Sequence, residues 1–259
     1  MGLLSKKKLL PWDQTKQHAD HIRNQGIKQF LSIYNKAKDR ENDSLLWGDE
    51  IEYMVIAYDD ENKNAKLSLR AQDILQELQN EVDEAKRKNE AVDALWQPEF
   101  GAYMIEGIPS DPYGSSLKCL TQVEQNMKRR REIASKYLNP NESLVTLVNF
   151  PRLGCSSQFL EPQHNKPLGS ELKSLFVPDE AMNPQEKFRT MNAGIESRRG
   201  TKVALNVPTF RDKKSEEALP DRIYMDSIIF AAGSCCLQTT IQACNIREAR
   251  KLYDQLAIF

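Results

Sequence analysis

The sequence predicts an α+β fold, and three observations carry that expectation. Segments in which apolar and polar side chains alternate with a period of two stand among segments whose apolar residues recur at three-and-four spacing. These are the signatures of half-buried strands and amphipathic helices. The strands read as antiparallel neighbours joined by polar turns, mixed with helices rather than alternating strictly with them. No internal repeat, P-loop or glycine-rich dinucleotide fingerprint is present. With 259 residues, 40% hydrophobic and 28% charged, the chain can bury a sizeable core.

Composition excludes several classes. A formal net charge of −1 gives no electrostatic reason to expect nucleic acid or an anionic membrane as partner. No apolar run approaches the roughly 20 residues of a membrane span. Met1-Gly2-Leu3-Leu4-Ser5-Lys6 misses the myristoylation pattern, Lys6 standing where Ser or Thr is required. The same stretch, followed by Lys7 and Lys8, lacks a signal-peptide layout, so the cytoplasm is the expected compartment. Cys119, Cys155, Cys235, Cys236 and Cys244 form no C-x-x-C pair. Reduced thiols are expected rather than a disulfide framework or a zinc site.

Taken in order, Trp12 to Arg40 predicts a first helix, capped by Asp13 or Thr15, with Ile22, Gly26, Phe30, Ile33 and Ala37 as a buried stripe widened by Ile27, Leu31 and Tyr34. His18 and His21 on it read as surface residues, not metal ligands. A strand from Trp47 to about Tyr58 follows, and Lys66 to Leu69 returns as the second arm of a hairpin. Ala71 to about Lys88 is a helix with Ile74, Leu78, Val82 and Ala85 on its inner face. Trp96 leads into a strand carrying Glu99 and Glu106, and Pro109 to Gly114 is a loop. A third helix opens at Ser115 and runs to about Leu138, with Leu120, Val123, Met127 and Tyr137 inward. Its Lys128-Arg129-Arg130-Arg131 run reads as a solvated face, against a competing reading as a nuclear-localisation or nucleic-acid patch.

Leu144 to Phe150 is a short strand, Gln158 to Ser174 a surface loop, and Leu175 to Glu180 a return to the core; Met182 to Ile195 gives mixed signals. Val203 to Pro208 is a strand and Lys213 to Leu219 a charged exposed loop. Ser234 to Ala243 is a strand whose Cys235, Leu237, Thr239, Ile241 and Ala243 suit a core, with Cys236, Gln238, Thr240 and Gln242 on the other face. Asn245 and Glu248 form a capping box opening a last helix with Ala249, Leu252, Tyr253 and Leu256 as its apolar stripe. That stripe runs on to Ala257-Ile258-Phe259 without a glycine cap or polar tail, so further chain is expected beyond it.

The chemistry gathers around Trp47–Met54. Glu50 and Glu52, two apart on a strand, point to one side while Ile51, Tyr53 and Val55 point to the other. Neighbouring carboxylates repel, so the pair is either a solvated strand face or a set of ligands awaiting cations. Glu99 and Glu106 stand seven apart, an odd separation that a straight strand sends to opposite faces; a bulge at Gly101 restores a common one. Four converging carboxylates suit Mg²⁺ or Mn²⁺, and Mg²⁺ in turn suits a nucleotide phosphate. Arg198, Arg199 and Lys202 around Gly200 read either as a phosphate-binding corner or as a charged turn. The polar face with Gln238 and Thr240 suits either a bound amino acid or an edge strand facing water, and Cys236 reads as a wall of a substrate pocket.

Trp47–Met54, Pro98–Gly107 followed by Pro109, Phe150–Gly154 and Ser234–Gln238 closely resemble the eukaryotic glutamate–cysteine ligase family, catalytic subunit. The resemblance runs from Met1 to about Ala257, in chains more than twice this length. It implies that residues 1–259 are a single incomplete catalytic domain, an N-terminal portion. The implied fold is a curved antiparallel sheet forming part of an active-site funnel with helices outside, glutamine-synthetase-like. The implied reaction is ATP-dependent ligation of the L-glutamate γ-carboxylate to the L-cysteine amine through γ-glutamyl phosphate, the first step of glutathione biosynthesis. ATP and Mg²⁺ are the implied cofactors and a regulatory subunit the implied partner.

Glu50, Glu52, Glu99 and Glu106 match the family's metal-binding glutamates. Gln238 and Thr240 would contact substrate, metal ligands or phosphate, and Arg198, Arg199 and Lys202 the nucleotide. Where the family commonly has Gly-Met-Gly, this chain has Ala231-Ala232-Gly233. Further substrate-binding residues lie in the part of the family's chain not found here, so little or no activity is expected of this chain alone. The rival expectation is a truncated, non-catalytic interaction module that binds the ligase's regulatory or catalytic subunit.

Overall fold

The structure, a computed structural model, describes residues 10–164, 167–211 and 222–258. The near-myristoylation stretch at Met1 to Lys6 and the charged loop at Lys213 to Leu219 lie outside them. The spine is β1 (Trp47–Asp59), thirteen residues rich in aromatic and β-branched side chains. Around it stand β2 (Asn64–Ser68), β3 (Ala94–Pro98), β4 (Met104–Pro109), β5 (Glu142–Val145), β6 (Leu160–Glu161) and β9 (Leu237–Ile241) in one seven-stranded sheet. Because Ile51, Met54 and Ile56 each pair on both sides, β4 and then β2 run along one edge of β1, and β9 and then β5 along the other. The sheet is a strongly curled half-barrel. It is mixed rather than purely antiparallel as expected, since β6 joins β2 in parallel. A separate hairpin pairs β7 (Leu205–Pro208) with β8 (Arg222–Met225).

Two cores lie on the two faces of β1. Tyr53 and Val55 join Trp96 and Ile105 beneath α3 (Ala71–Lys88) and α4 (Leu117–Ser135). The inner face of α3 is the expected one, with Ile74, Leu78 and Val82 buried. Met54 and Ile56 join Phe100, Tyr103 and Met104 on the other face, closed by Phe150 to Phe188 and by α6 (Ile229–Ala232). The expected surface loop at Gln158 to Ser174 contributes Phe159, Leu160 and Leu172 to this core.

The structure corrects several element-level expectations. The first helix is broken at His18 into α1 (Trp12–Gln17) and α2 (Ala19–Ala37). Pro11 takes the cap position without a side-chain cap bond, and no residue of α2 is buried. The buried residues of α4 are Arg130, Ile133 and Ala134, while Leu120 is exposed. The segment with mixed signals forms α5 (Glu186–Arg199), ended by Gly200 in the left-handed region at φ 70°. Leu237 and Ile241 of β9 are exposed rather than core. The capping box of α7 (Ile246–Leu256) is as expected: Asn245 accepts from the Glu248 N–H at 2.8 Å, and Glu248 accepts from the Cys244 N–H.

Candidate metal centre

Glu52 and Glu106 are direct partners across β1 and β4, and Gln97 and Glu106 across β3 and β4. Cross-strand partners share a face, and so does the residue two further along, which brings Glu99 to the same side. The odd spacing of Glu99 and Glu106 is thus resolved by a hairpin, not by a bulge in one strand: Pro98 ends β3, Met104 opens β4, and the chain reverses between them. Oxygens of Glu52, Glu99 and Glu106 lie within 4.8 Å of one another. Glu50 sits two residues outward on β1, opposite Gln238 of β9.

Backbone and side-chain donors fix this geometry. Glu52 accepts from the Cys236 N–H at 2.9 Å and from the Gln238 amide at 3.2 Å. Asn183, fully buried, donates its amide to the Glu99 carbonyl and its backbone N–H to the Phe100 carbonyl, both at 2.8 Å. The Tyr103 hydroxyl donates to the Gly233 carbonyl at 3.0 Å. A Cβ at Gly233 would lie 2.2 Å from that hydroxyl, so of the divergent Ala231-Ala232-Gly233 run the last position needs its glycine.

Among the described residues the cluster has no ion-paired cation. Burial, a hydrogen bond that the protonated Glu106 carboxyl donates to the neighbouring Glu99, and the charges of Glu99, Glu50 and Glu52 push Glu106 up to about 8. Burial also raises Glu52, with the Cys236 N–H opposing and the charges of Glu99 and Glu50 adding. Glu106 is 1% exposed and its Oε1 has no hydrogen-bond partner. Among the described residues the ion pairs of Lys and Arg lie elsewhere. Hard oxygen donors, an orphaned buried oxygen and the lack of an ion-paired cation among the described residues fit a divalent cation of the Mg²⁺ or Mn²⁺ class.

The other predicted residues divide. Gln238 meets the centre through Glu52. Cys236 contributes its N–H, and its thiol is raised by burial and by the charges of Glu52 and Glu99. Thr240 pairs with Gly48 and, with Glu50, Leu95 and Ile108, borders a cleft of about 410 Å³. Of the basic corner, Lys202 bonds Asp226 at 3.0 Å and also the Lys173 carbonyl, while the Arg198 guanidinium lies 5.0 Å from the Trp12 ring. Arg199 is exposed at the end of α5. Lys187 and Asn183 escaped the sequence reading, and Arg130, read there as part of a solvated face, is buried and paired with Asp49. All five cysteines are free thiols, as expected. Among the described residues no helix is long and apolar enough to cross a membrane.

Carboxylates of Glu52, Glu99 and Glu106 converging on one face of a curled sheet, beside a cleft, make a candidate centre for a divalent cation. The family described as "Glutamate-cysteine ligase" has a sequence model that matches residues 1–259, and the chain belongs to that family. It is 47% identical over 273 residues to the glutamate–cysteine ligase catalytic subunit of Homo sapiens, covering 99% of this chain and 42% of that protein. The glutamate–cysteine ligase of Neurospora crassa is 43% identical over 293 residues, covering 99% and 40%. That of Saccharomyces cerevisiae is 38% identical over 296 residues, covering 100% and 43%. The chain therefore spans less than half the length of these relatives.

Proposed function

We propose that this chain carries the metal-binding part of an ATP-dependent glutamate–cysteine ligase site. The convergence of Glu52, Glu99 and Glu106 within 4.8 Å supports the reading most directly. A carboxylate is a poor electrophile and needs activation: the γ-phosphoryl group of ATP passes to it with release of ADP, and the cysteine amine attacks the resulting γ-glutamyl phosphate, forming the amide, expelling inorganic phosphate and giving up a proton. Phosphoryl transfer depends on alignment and charge neutralisation. Bound Mg²⁺ would supply both, polarising the phosphate oxygens. The residues that would hold it are Glu52, Glu99 and Glu106, with Glu50 outward on the same face. Gln238 holds Glu52 in its rotamer. The cleft bordered by Gly48, Leu95, Ile108 and Thr240 is assigned to the nucleotide, its apolar wall suiting a base. Arg199 makes no ion pair among the described residues and remains, with Arg198 and Lys202, a candidate for the nucleotide. On this reading the curled sheet forms part of a glutamine-synthetase-like funnel in the cytoplasm, and a regulatory subunit is a partner.

Mn²⁺ titration followed by electron paramagnetic resonance tests the reading. The chain is expected to bind Mn²⁺, and Glu106→Gln to weaken it at least about tenfold, since one anionic ligand is lost. An unaltered affinity in Glu106→Gln sinks the metal assignment. ADP release dependent on both glutamate and cysteine is expected to be near background for this chain alone.

A further inference from the structure

Lys187 lies in the first turn of α5, and the packing brings that turn to the carboxylates. Asn183 holds Glu99 and Phe100, and its side-chain oxygen accepts from the Gln185 N–H at 3.1 Å, fixing the residue that caps the helix. Phe188 meets Phe100 edge to face, with centroids 5.8 Å apart and planes at 84°. The Lys187 ammonium lies 4.2 Å from the centroid of the Phe188 ring. It is half-buried and, among the described residues, has no carboxylate within 4.0 Å. Burial lowers its pKa, and the charges of Glu99 and Glu106 oppose that fall, so the ammonium feels both carboxylates without being paired to either.

A partly desolvated ammonium without a paired counter-ion is unfavourable, and an aromatic face compensates only in part. A cation here also repels divalent ions at the same glutamates. Metal binding alone does not explain such an arrangement. An anion arriving with the metal does, because it gives the ammonium the partner that the empty site lacks.

We propose that Lys187 is a substrate-binding cation: held over Phe188, on the turn that Asn183 ties to the Glu99–Phe100 backbone, its ammonium binds an anionic oxygen of the phosphorylated acceptor carboxylate. It would act on the β3–β4 side of the centre, away from β9, forming no covalent bond and contributing charge and hydrogen bonds. This rests on the phosphoryl-transfer reading above.

The experiment titrates the 259-residue chain with Mn²⁺ and then the Mn²⁺-loaded chain with inorganic phosphate, the probe for the transferred group. Wild type is expected to bind phosphate only when loaded. Lys187→Met is expected to weaken phosphate at least about tenfold, and Lys187→Arg to stay within about threefold of wild type. Mn²⁺ affinity of Lys187→Met should be unchanged or tighter, with the same thermal midpoint. If Lys187→Met binds phosphate like wild type, or loaded wild type binds none, the assignment of Lys187 fails and the metal centre stands. If Lys187→Met loses Mn²⁺ affinity, its role is structural and the proposal is overturned. If wild type binds no Mn²⁺, the underlying reading fails and this inference with it.

Discussion

Glu106 is buried among like charges, and its protonated form is the one the metal-free fold prefers. The sign of the pH dependence follows. A folded pKa of about 8, raised from 4.5, means that folding favours the proton. That contribution is fully present below about 4.5 and is lost as pH rises through about 8. Glu52 is raised too and adds in the same direction. Urea denaturation in a chelator should therefore show stability falling between pH 5 and 8, by on the order of a few kcal/mol. Mg²⁺ should remove the fall, because cations favour the ionised ligands. Glu106→Gln should flatten the metal-free profile; a wild-type profile that rises with pH in chelator would contradict the account. At this scale the sequence is highly legible. Strand parity alone places Glu50 and Glu52 on one side of β1, and Gln238 meets Glu52 as an outward residue of β9.

Elements are less legible, and α4 and β1 show why. Arg130 looked solvated because it sits within four consecutive basic residues. It is instead 0% exposed, pairing with Asp49 at 2% and donating to the Gly107 carbonyl at 2.7 Å. Two signals were available. Asp49 lies on the Tyr53 face of β1, where a lone carboxylate needs a cation, and Arg130 begins the three-and-four stripe that continues through Ile133 and Ala134. The Glu99–Glu106 hairpin was hidden because an apolar run reads equally well as one strand, and only the partner register separates the two. The pair on the back of the sheet clamps β1 to β4, the strands that bear Glu52 and Glu106 on the front. Arg130→Met should lower unfolding free energy by about 3–5 kcal/mol, since it leaves Asp49 buried and unpaired. The double variant Asp49→Leu with Arg130→Met should recover much of that loss. An Arg130→Met chain within about 0.5 kcal/mol of wild type, the range of ordinary surface changes, would show that the pair does not clamp the strands.

Across the whole molecule, stability is distributed unevenly, and the division follows what each apolar stripe touches. The sheet, α3 and α4 share buried residues in a common core. The stripe on α2 was legible as amphipathic, but periodicity cannot say whether anything covers it. Ile22, Phe30 and Ile33 are 56%, 64% and 59% exposed, and the main packing partner of α2 is the six-residue α1. Most helical stability in proteins comes from packing an apolar face, which α2 does not bury, and Phe30 stacking on Tyr34 at 5.9 Å and the exposed Arg23–Asp20 pair add little. Hydrogen exchange should therefore separate the chain into two classes. Amides of Ala19–Ala37 should exchange with opening free energies below about 2 kcal/mol, while those of β1 approach the global value. Exchange at α2 as slow as at Met54 or Val55 would mean that its exposed face is covered in solution, and the uneven distribution argued here would be wrong.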